Sequence, residues 1–319
     1  MRRKACAAAI GALVTAAFLG SPALADEGGV GFWLSGKIAS FASVPPPLGW
    51  SLPLEYYNYG GSADSSHILK VGNKLTTGLK GSFNGEFIVP TYAPDMTVLG
   101  ARPSISLAFA PAYVTGKGRI GLGALSLSQS DSLFGVSDLY PMAQLNWSAD
   151  VHNFMTYVTG DIPSGSYNPD RLANVGIGHA AIDAGVGYTY VDTKTGTEVS
   201  ATVGFTNNFK NQSANYTNGI DSHLDFGASQ FLNEKLFVGV VGYYYQQLTA
   251  DKGQPAILGS FESRTRGIGP QIGYNFQLGG VPVFTNLRGH KEFGSHDRLE
   301  GYAIYAAVSV PLSALFNGK

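Results

Sequence analysis

The chain is poor in the groups on which most soluble chemistry depends. Only 13% of its 319 residues are charged and one is cysteine. That residue, Cys6, lies in MRRKACAAAIGALVTAAFLGSPALA, where Arg2, Arg3 and Lys4 precede an apolar stretch from Ala5 to Leu19 and Ala23-Leu24-Ala25 forms an A-x-A site. The pattern predicts a cleaved export signal over residues 1–25 and a mature chain starting at Asp26. The competing reading is a transmembrane helix, for which the apolar run is short. The mature chain then lacks cysteine, which excludes disulfides, thiol catalysis and thiolate metal ligands. Removing Arg2, Arg3 and Lys4 leaves 18 basic residues against 22 acidic ones, a formal charge of −4 that argues against a nucleic-acid partner. No later stretch offers about 20 uninterrupted apolar residues, so no membrane-spanning helix is expected. H-E-x-x-H, G-x-S-x-G and EF-hand patterns are also missing, and no cofactor, metal site or catalytic residue is expected.

What is present is alternation. In RTRGIGPQIGYNFQL (264–278), Ile268, Ile272, Tyr274, Phe276 and Leu278 alternate with Gly267, Gly269, Gln271, Gly273, Asn275 and Gln277. A strand sends successive side chains to opposite faces, so one face is apolar and the other small or polar. Similar segments are Leu52–Tyr59, Leu79–Pro90, Ser104–Thr115, Asp138–Ser148, Ala181–Val191, Thr197–Asn208, Asp221–Phe231, Leu236–Leu248, Val281–Phe293 and Leu299–Leu312. Val151–Ile162 is a strand candidate of ambiguous phase, and Arg119–Val136 is a region for a further strand that would shift the count by two. In hydrocarbon, only helices and closed barrels satisfy their own backbone hydrogen bonds. The expected fold is therefore all-β: an antiparallel transmembrane β-barrel of about 12 strands over residues 51–319, with no domain boundary. The many glycines and aromatics suit small inward residues and aromatic girdles. Asn207–Gly219 and Thr249–Glu262 are expected to be external loops, with the tight turns periplasmic. Pro141 and Pro270 are expected at a rim or bulge, since neither can donate to the ladder.

Residues 26–50 stand apart. Pro45, Pro46 and Pro47 cannot donate ladder bonds, so this piece is expected to be a plug in the lumen or a linker. Trp33, Phe41 and Trp50 favour the lumen, because solvated linkers are poor in aromatics. The plug candidates are Pro45, Pro46, Pro47 and Trp50. If polar phases face inward, the lumen and solute path are lined by Glu86, Gln144, Asn146, Asp183, Gln271, Asn275, Gln277 and Arg288. The histidines His67, His152, His179, His223, His290 and His296 are expected at loops and rims. Ser222-His223-Leu224-Asp225 and Ser295-His296-Asp297 come nearest to a triad, but triads are assembled in space rather than in sequence.

Several stretches are shared with a known family. They are Leu172-Ala173-Asn174-Val175-Gly176, VGYTYVDTKTGTEVS (186–200), Leu224-Asp225-Phe226, VGYYYQQLTAD (241–251), Gly267-Ile268-Gly269-Pro270-Gln271 and FGSHDRLEGYAIYAAVSVPL (293–312), with VPPPLGW and SDLYPMAQLNW upstream. Through them the chain resembles the meta-pathway phenol-degradation, or SphA-like, outer-membrane family. The resemblance covers most of the mature chain. It implies a bacterial outer-membrane location and a transport role for small hydrophobic or aromatic solutes, with outer-membrane lipids as surroundings. It leaves oligomeric state open. Where the family often shows a Gly-Ser-Arg-Gly-like run, this chain has Gly36-Lys37-Ile38-Ala39-Ser40. Two other functions remain compatible with the residues: a structural or receptor-like barrel without a through-path, and a lipid-acting barrel enzyme.

Overall fold

The computed structural model describes residues 31–64, 68–121, 126–253 and 262–313. The expected signal at residues 1–25 and His67 lie outside them. The first strands are β1 (Gly49–Ser62), β2 (Ile68–Val71), β3 (Lys74–Ile88), β4 (Thr91–Ala93), β5 (Arg102–Ala108), β6 (Pro111–Ile120), β7 (Leu127–Val136) and β8 (Tyr140–Ala149). They are followed by β9 (His152–Asp161), β10 (Ala181–Asp192), β11 (Thr197–Asn208), β12 (Ile220–Phe231), β13 (Leu236–Gln247), β14 (Arg264–Leu278), β15 (Val281–His296) and β16 (Glu300–Pro311).

These segments make twelve wall strands. β3 and β4 keep one register against β1 and break only at Val89 and Pro90, where the proline has no N–H. β5 and β6 are one strand interrupted at Phe109–Ala110, with Phe109 still bridging Ile88. β7 and β8 are one strand with a bulge, since three steps from Ala108 to Pro111 oppose four from Tyr140 to Val136. Ser137 fills the bulge, its Oγ accepting from Ala110 N at 2.8 Å and donating to the Asp138 carbonyl at 2.8 Å. β2 only extends β3 as a hairpin. Antiparallel pairing runs through all twelve strands, and β1 pairs with β16 to close the barrel. Closure leaves no exposed edge.

Short turns join β8 to β9, β10 to β11, β12 to β13 and β14 to β15, at the end where the wall begins and finishes. The long connections 163–180 and 209–219 lie at the opposite end, with the described parts of the next one, 248–253 and 262–263; residues 254–261 of the expected external loop lie outside the described residues. The outer face carries exposed Ile105, Val186, Phe205, Leu287 and Val308. Trp50 and Tyr92 pack at 5.0 Å near the short-turn end, while Tyr113 pairs with Phe134 toward the other. An apolar band between aromatic girdles is the outer surface of a membrane barrel. Pro141 sits next to the bulge, as its chemistry requires. Pro270 does not sit at a rim or bulge: it lies mid-strand opposite Val240, and the register to β15 is the same on either side of it.

Candidate functional site

Residues 31–43 occupy the interior of the barrel, bonded to inward side chains of seven wall strands. Asp225 of β12 receives the Trp33 Nε1 proton at 3.2 Å and the Gly36 and Ile38 amides at 2.9 and 3.4 Å. Trp33 also stacks on the His223 ring at 3.6 Å. Tyr305 donates to the Ser35 carbonyl at 2.9 Å. Arg288 of β15 donates to the Gly36 and Lys37 carbonyls at 3.2 and 2.8 Å and pairs with Glu55 of β1 at 2.7 Å. Further along, the Phe41 amide meets Glu198 and Ser200 of β11, each at 3.0 Å. The Ser43 amide bonds Thr189 of β10 at 3.1 Å, and Asn146 of β8 donates to the Ser43 carbonyl at 3.2 Å. A backbone inside a barrel has no ladder of its own, so the wall must satisfy its polar groups. Gly36 is needed for close approach: its φ is +82°, and a Cβ there would lie 2.8 Å from the His290 ring. The Lys37 ammonium stands 4.7 Å over the Phe87 ring. Burial lowers its pKa; Glu55 opposes that shift and Arg288 adds to it.

The segment separates two cavities. The one toward the long loops has a volume of about 200 Å³ and is mainly apolar. Its wall side is an aromatic cluster in which Tyr57 lies 5.5 Å from Phe83 and 4.6 Å from Tyr305. Phe32 and Trp33 form its floor, while Leu172, Val175 and Ile177 from the 163–180 connection cover it. That connection is held by two carboxylates. Asp131 takes two bonds from the Arg171 guanidinium at 3.0 and 2.6 Å and the Leu172 amide at 3.1 Å. Asp138 accepts from the Gly165 and Ile177 amides at 2.7 and 2.8 Å. Gly116 lets the loop close down, since a Cβ there would meet the Leu172 carbonyl at 2.6 Å. One carboxylate, Glu292, borders the cavity; it accepts from Tyr59, Tyr243 and the Gly301 amide at 2.8, 2.9 and 2.7 Å. The second cavity, about 240 Å³, lies toward the short turns and is more polar, with Gln144, Gln271, Asn286 and Arg288 around residues 37–42.

Most residues expected in the lumen point inward. Gln144 contacts Ser104 at 3.3 Å, and Gln271 bonds Ser229 at 2.7 Å. Asp183 accepts from Thr206 at 2.6 Å and pairs with His223 at 3.1 Å. Asn275 lies opposite Phe284 toward the short turns, and Gln277 is exposed beside them. Glu86 is a correction. It faces outward opposite Tyr56, while its neighbours Gly85 and Phe87 are buried. The lumen beside β3 is the apolar cavity, so the apolar phase of this strand, Phe83 and Phe87, turns inward and the polar phase turns out. Trp50 is a second correction: it lies in β1, 53% exposed on the outer wall, because Gly49 already pairs with Ala93. Pro45, Pro46 and Pro47 mark where the chain leaves the lumen; Arg102 of β5 donates to the Pro46 carbonyl at 3.4 Å, and the denser set of bonds to the wall lies upstream. His223 and His290 are buried in the interior rather than at rims. Ser222 projects to the face opposite His223, and the His223 Nε2 contacts Asp183 and the Tyr157 hydroxyl instead, at 3.1 and 3.3 Å. Ser295 bonds Thr265 at 2.7 Å while His296 faces Asp297 at 2.6 Å, so neither run forms a serine triad. Expectation from sequence missed Glu55, Glu198, His223, Asp225 and Tyr305 as lumen residues, although Asp221, His223, Asp225 and Gly227 share one phase of β12.

Residues 61–308 match the model of the family described as "Putative MetA-pathway of phenol degradation". The chain belongs to that family. Among solved structures, this member of the phenol-degradation family is similar in fold to an outer membrane channel from Pseudomonas putida F1. The TM-score is 0.61 at 13% identity, covering 85% of this chain and 98% of that one. The β domain of the Bordetella autotransporter BrkA aligns with a TM-score of 0.45 at 12% identity, over 82% of this chain and 99% of that one. A Pseudomonas aeruginosa FadL homologue aligns at 0.40 and 9% identity, over 82% and 90%. No curated protein matches. The fold is thus that of bacterial outer-membrane barrels.

Proposed function

We propose that the protein is an outer-membrane channel for passive uptake of small, uncharged hydrophobic or aromatic solutes, and that the apolar cavity is where the solute first binds. The carrying observation is the pair of cavities, apolar toward the long loops and polar toward the short turns, with residues 31–43 between them. An apolar cavity of about 150 Å³ can bind benzene, so about 200 Å³ is room for a single substituted ring. The lining carries one acid, Glu292, and one guanidinium, Arg298, in an otherwise mainly apolar wall, so a further net charge would give up its hydration in an apolar setting, which favours neutral molecules. In this mechanism the solute enters between the long loops and rests against Phe83, Phe87 and Tyr57. It passes when residues 31–43 shift from the wall. The Pseudomonas putida channel of the same fold and the phenol-degradation family support this reading.

Trp33 on the cavity floor gives the test. Replacing Trp50 and Trp147 by Phe leaves it as the only tryptophan of the three in the chain. Titrating that variant with phenol or toluene should produce a saturable change in its emission, and benzoate at neutral pH should not. A response that never saturates, or that benzoate matches, would argue against an apolar solute site.

A further inference from the structure

The outward face beyond the aromatic girdle carries a cluster of cations that the channel reading does not use. Along β6 the outward residues run Tyr113, Thr115, Lys117, Arg119. Across from them on β7 stand Phe134, Ser132, Ser130 and Ser128, and on β3 Asn84, Ser82, Lys80 and Thr77. Moving away from the short turns, this surface passes from aromatic to hydroxyl to cation. Lys80, Lys117 and Arg119 are all exposed, and none makes an ion pair among the described residues. Lys80 lies directly opposite Lys117 in the ladder. Like charges so placed destabilise a sheet unless an anion lies between them. Along β3 the nearest outward acidic residue is Glu86, six positions nearer the short turns, and on the β1 side exposed Asp64 lies two positions past Ser62, the partner of Lys80. Ser82 and Thr115 bond each other at 2.7 Å, and exposed Ser128, Ser130 and Ser132 border the cations with further hydroxyls.

We infer that this patch binds the phosphate groups of a phosphorylated glycolipid in the leaflet around the barrel. The charge is complementary, the hydroxyls match phosphate and sugar oxygens, and the position just past Tyr113 and Phe134 is the level of lipid headgroups. The inference rests on the membrane placement of the barrel and is independent of what passes through the lumen. A cation beside a charged lipid surface contributes about fivefold to binding, so three contribute about 100-fold.

Native mass spectrometry of the folded full-length barrel in detergent tests this, with diphosphorylated lipid A, its dephosphorylated form and inorganic phosphate as probes. The parent protein should retain diphosphorylated lipid A. The K80Q/K117Q/R119Q variant should bind it about 100-fold more weakly, and K117Q alone about fivefold more weakly. A K194Q/K235Q control, at the short-turn end, should bind as the parent does. Dephosphorylated lipid A should bind the parent as weakly as the diphosphorylated lipid binds the triple variant. Equal binding by parent and triple variant, or equal binding of both lipid forms, would overturn the inference. Displacement of the lipid by inorganic phosphate, beyond the effect of sulfate at equal ionic strength, would assign the patch to free phosphate instead. If the triple variant does not fold, the parent's preference between the two lipids and the K117Q shift decide the matter.

Discussion

Oxidising a Ser40→Cys/Ser229→Cys variant should stop solute uptake, and reducing it should restore the parent rate. The Ser40 and Ser229 hydroxyl oxygens are 3.3 Å apart, and Gln271 donates to both. A disulfide there ties the lumen segment to β12. Each hydrogen bond from a charged group to this segment, such as those of Arg288 and Asp225, is worth about 1.5–3 kcal/mol. Together they make complete withdrawal rare, so the proposed passage uses a local shift of this segment, which a disulfide at Ser40 restrains. The mature chain brings no competing thiol, since Cys6 is the only cysteine and lies in the expected signal. Reversal by reductant separates a lock from misfolding. Initial uptake rates of a labelled phenolic compound, measured before and after reduction, check the expectation. An oxidised variant that transports like the parent would mean that the segment does not gate the path.

Val114→Trp should abolish single-ring uptake by filling the cavity. Val114 lines the cavity from β6, opposite Phe83. An indole there occupies the space a single-ring solute would take. Burying one ring is worth about 2–3 kcal/mol, so the variant should lose about 30- to 150-fold in affinity for the solute. Val114→Ala leaves the cavity open and should bind nearly as the parent does. Titration of Trp33 emission is confounded by a new tryptophan, so direct binding of labelled toluene to the detergent-solubilised barrel is the measurement to use. Unchanged binding in Val114→Trp would place the solute elsewhere.

The wall was legible because alternation is a local property. Each of the twelve segments chosen from periodicity overlaps a wall strand, and the lipid-facing phases of β5, β8 and β10 follow the apolar residues Ile105, Leu145 and Val186. β3 shows where that rule fails. Its sequence is amphipathic, but periodicity cannot say which face is inside, and here the interior beside it is an apolar cavity. The same limit applies to Glu86. The grip on the lumen segment was not legible for a different reason: Trp33 and Asp225 are separated by 192 positions, and a contact at that range depends on closure of the whole barrel. The prolines drew attention to residues 45–50 because their chemistry is conspicuous in a sequence. The segment is held mainly through backbone groups of Ser35, Gly36, Lys37, Phe41 and Ser43, which have no side-chain signature, together with the side chains of Trp33 and Ser40.

The most direct test of the channel is the initial rate of uptake of a labelled phenolic compound at limiting concentration. It should be measured in cells lacking this protein and in the same cells carrying the parent gene. Uptake should be slow without the protein and restored with it, saturating as external solute rises. Equal rates in the two strains, with the barrel shown to be folded in the outer membrane, would contradict it.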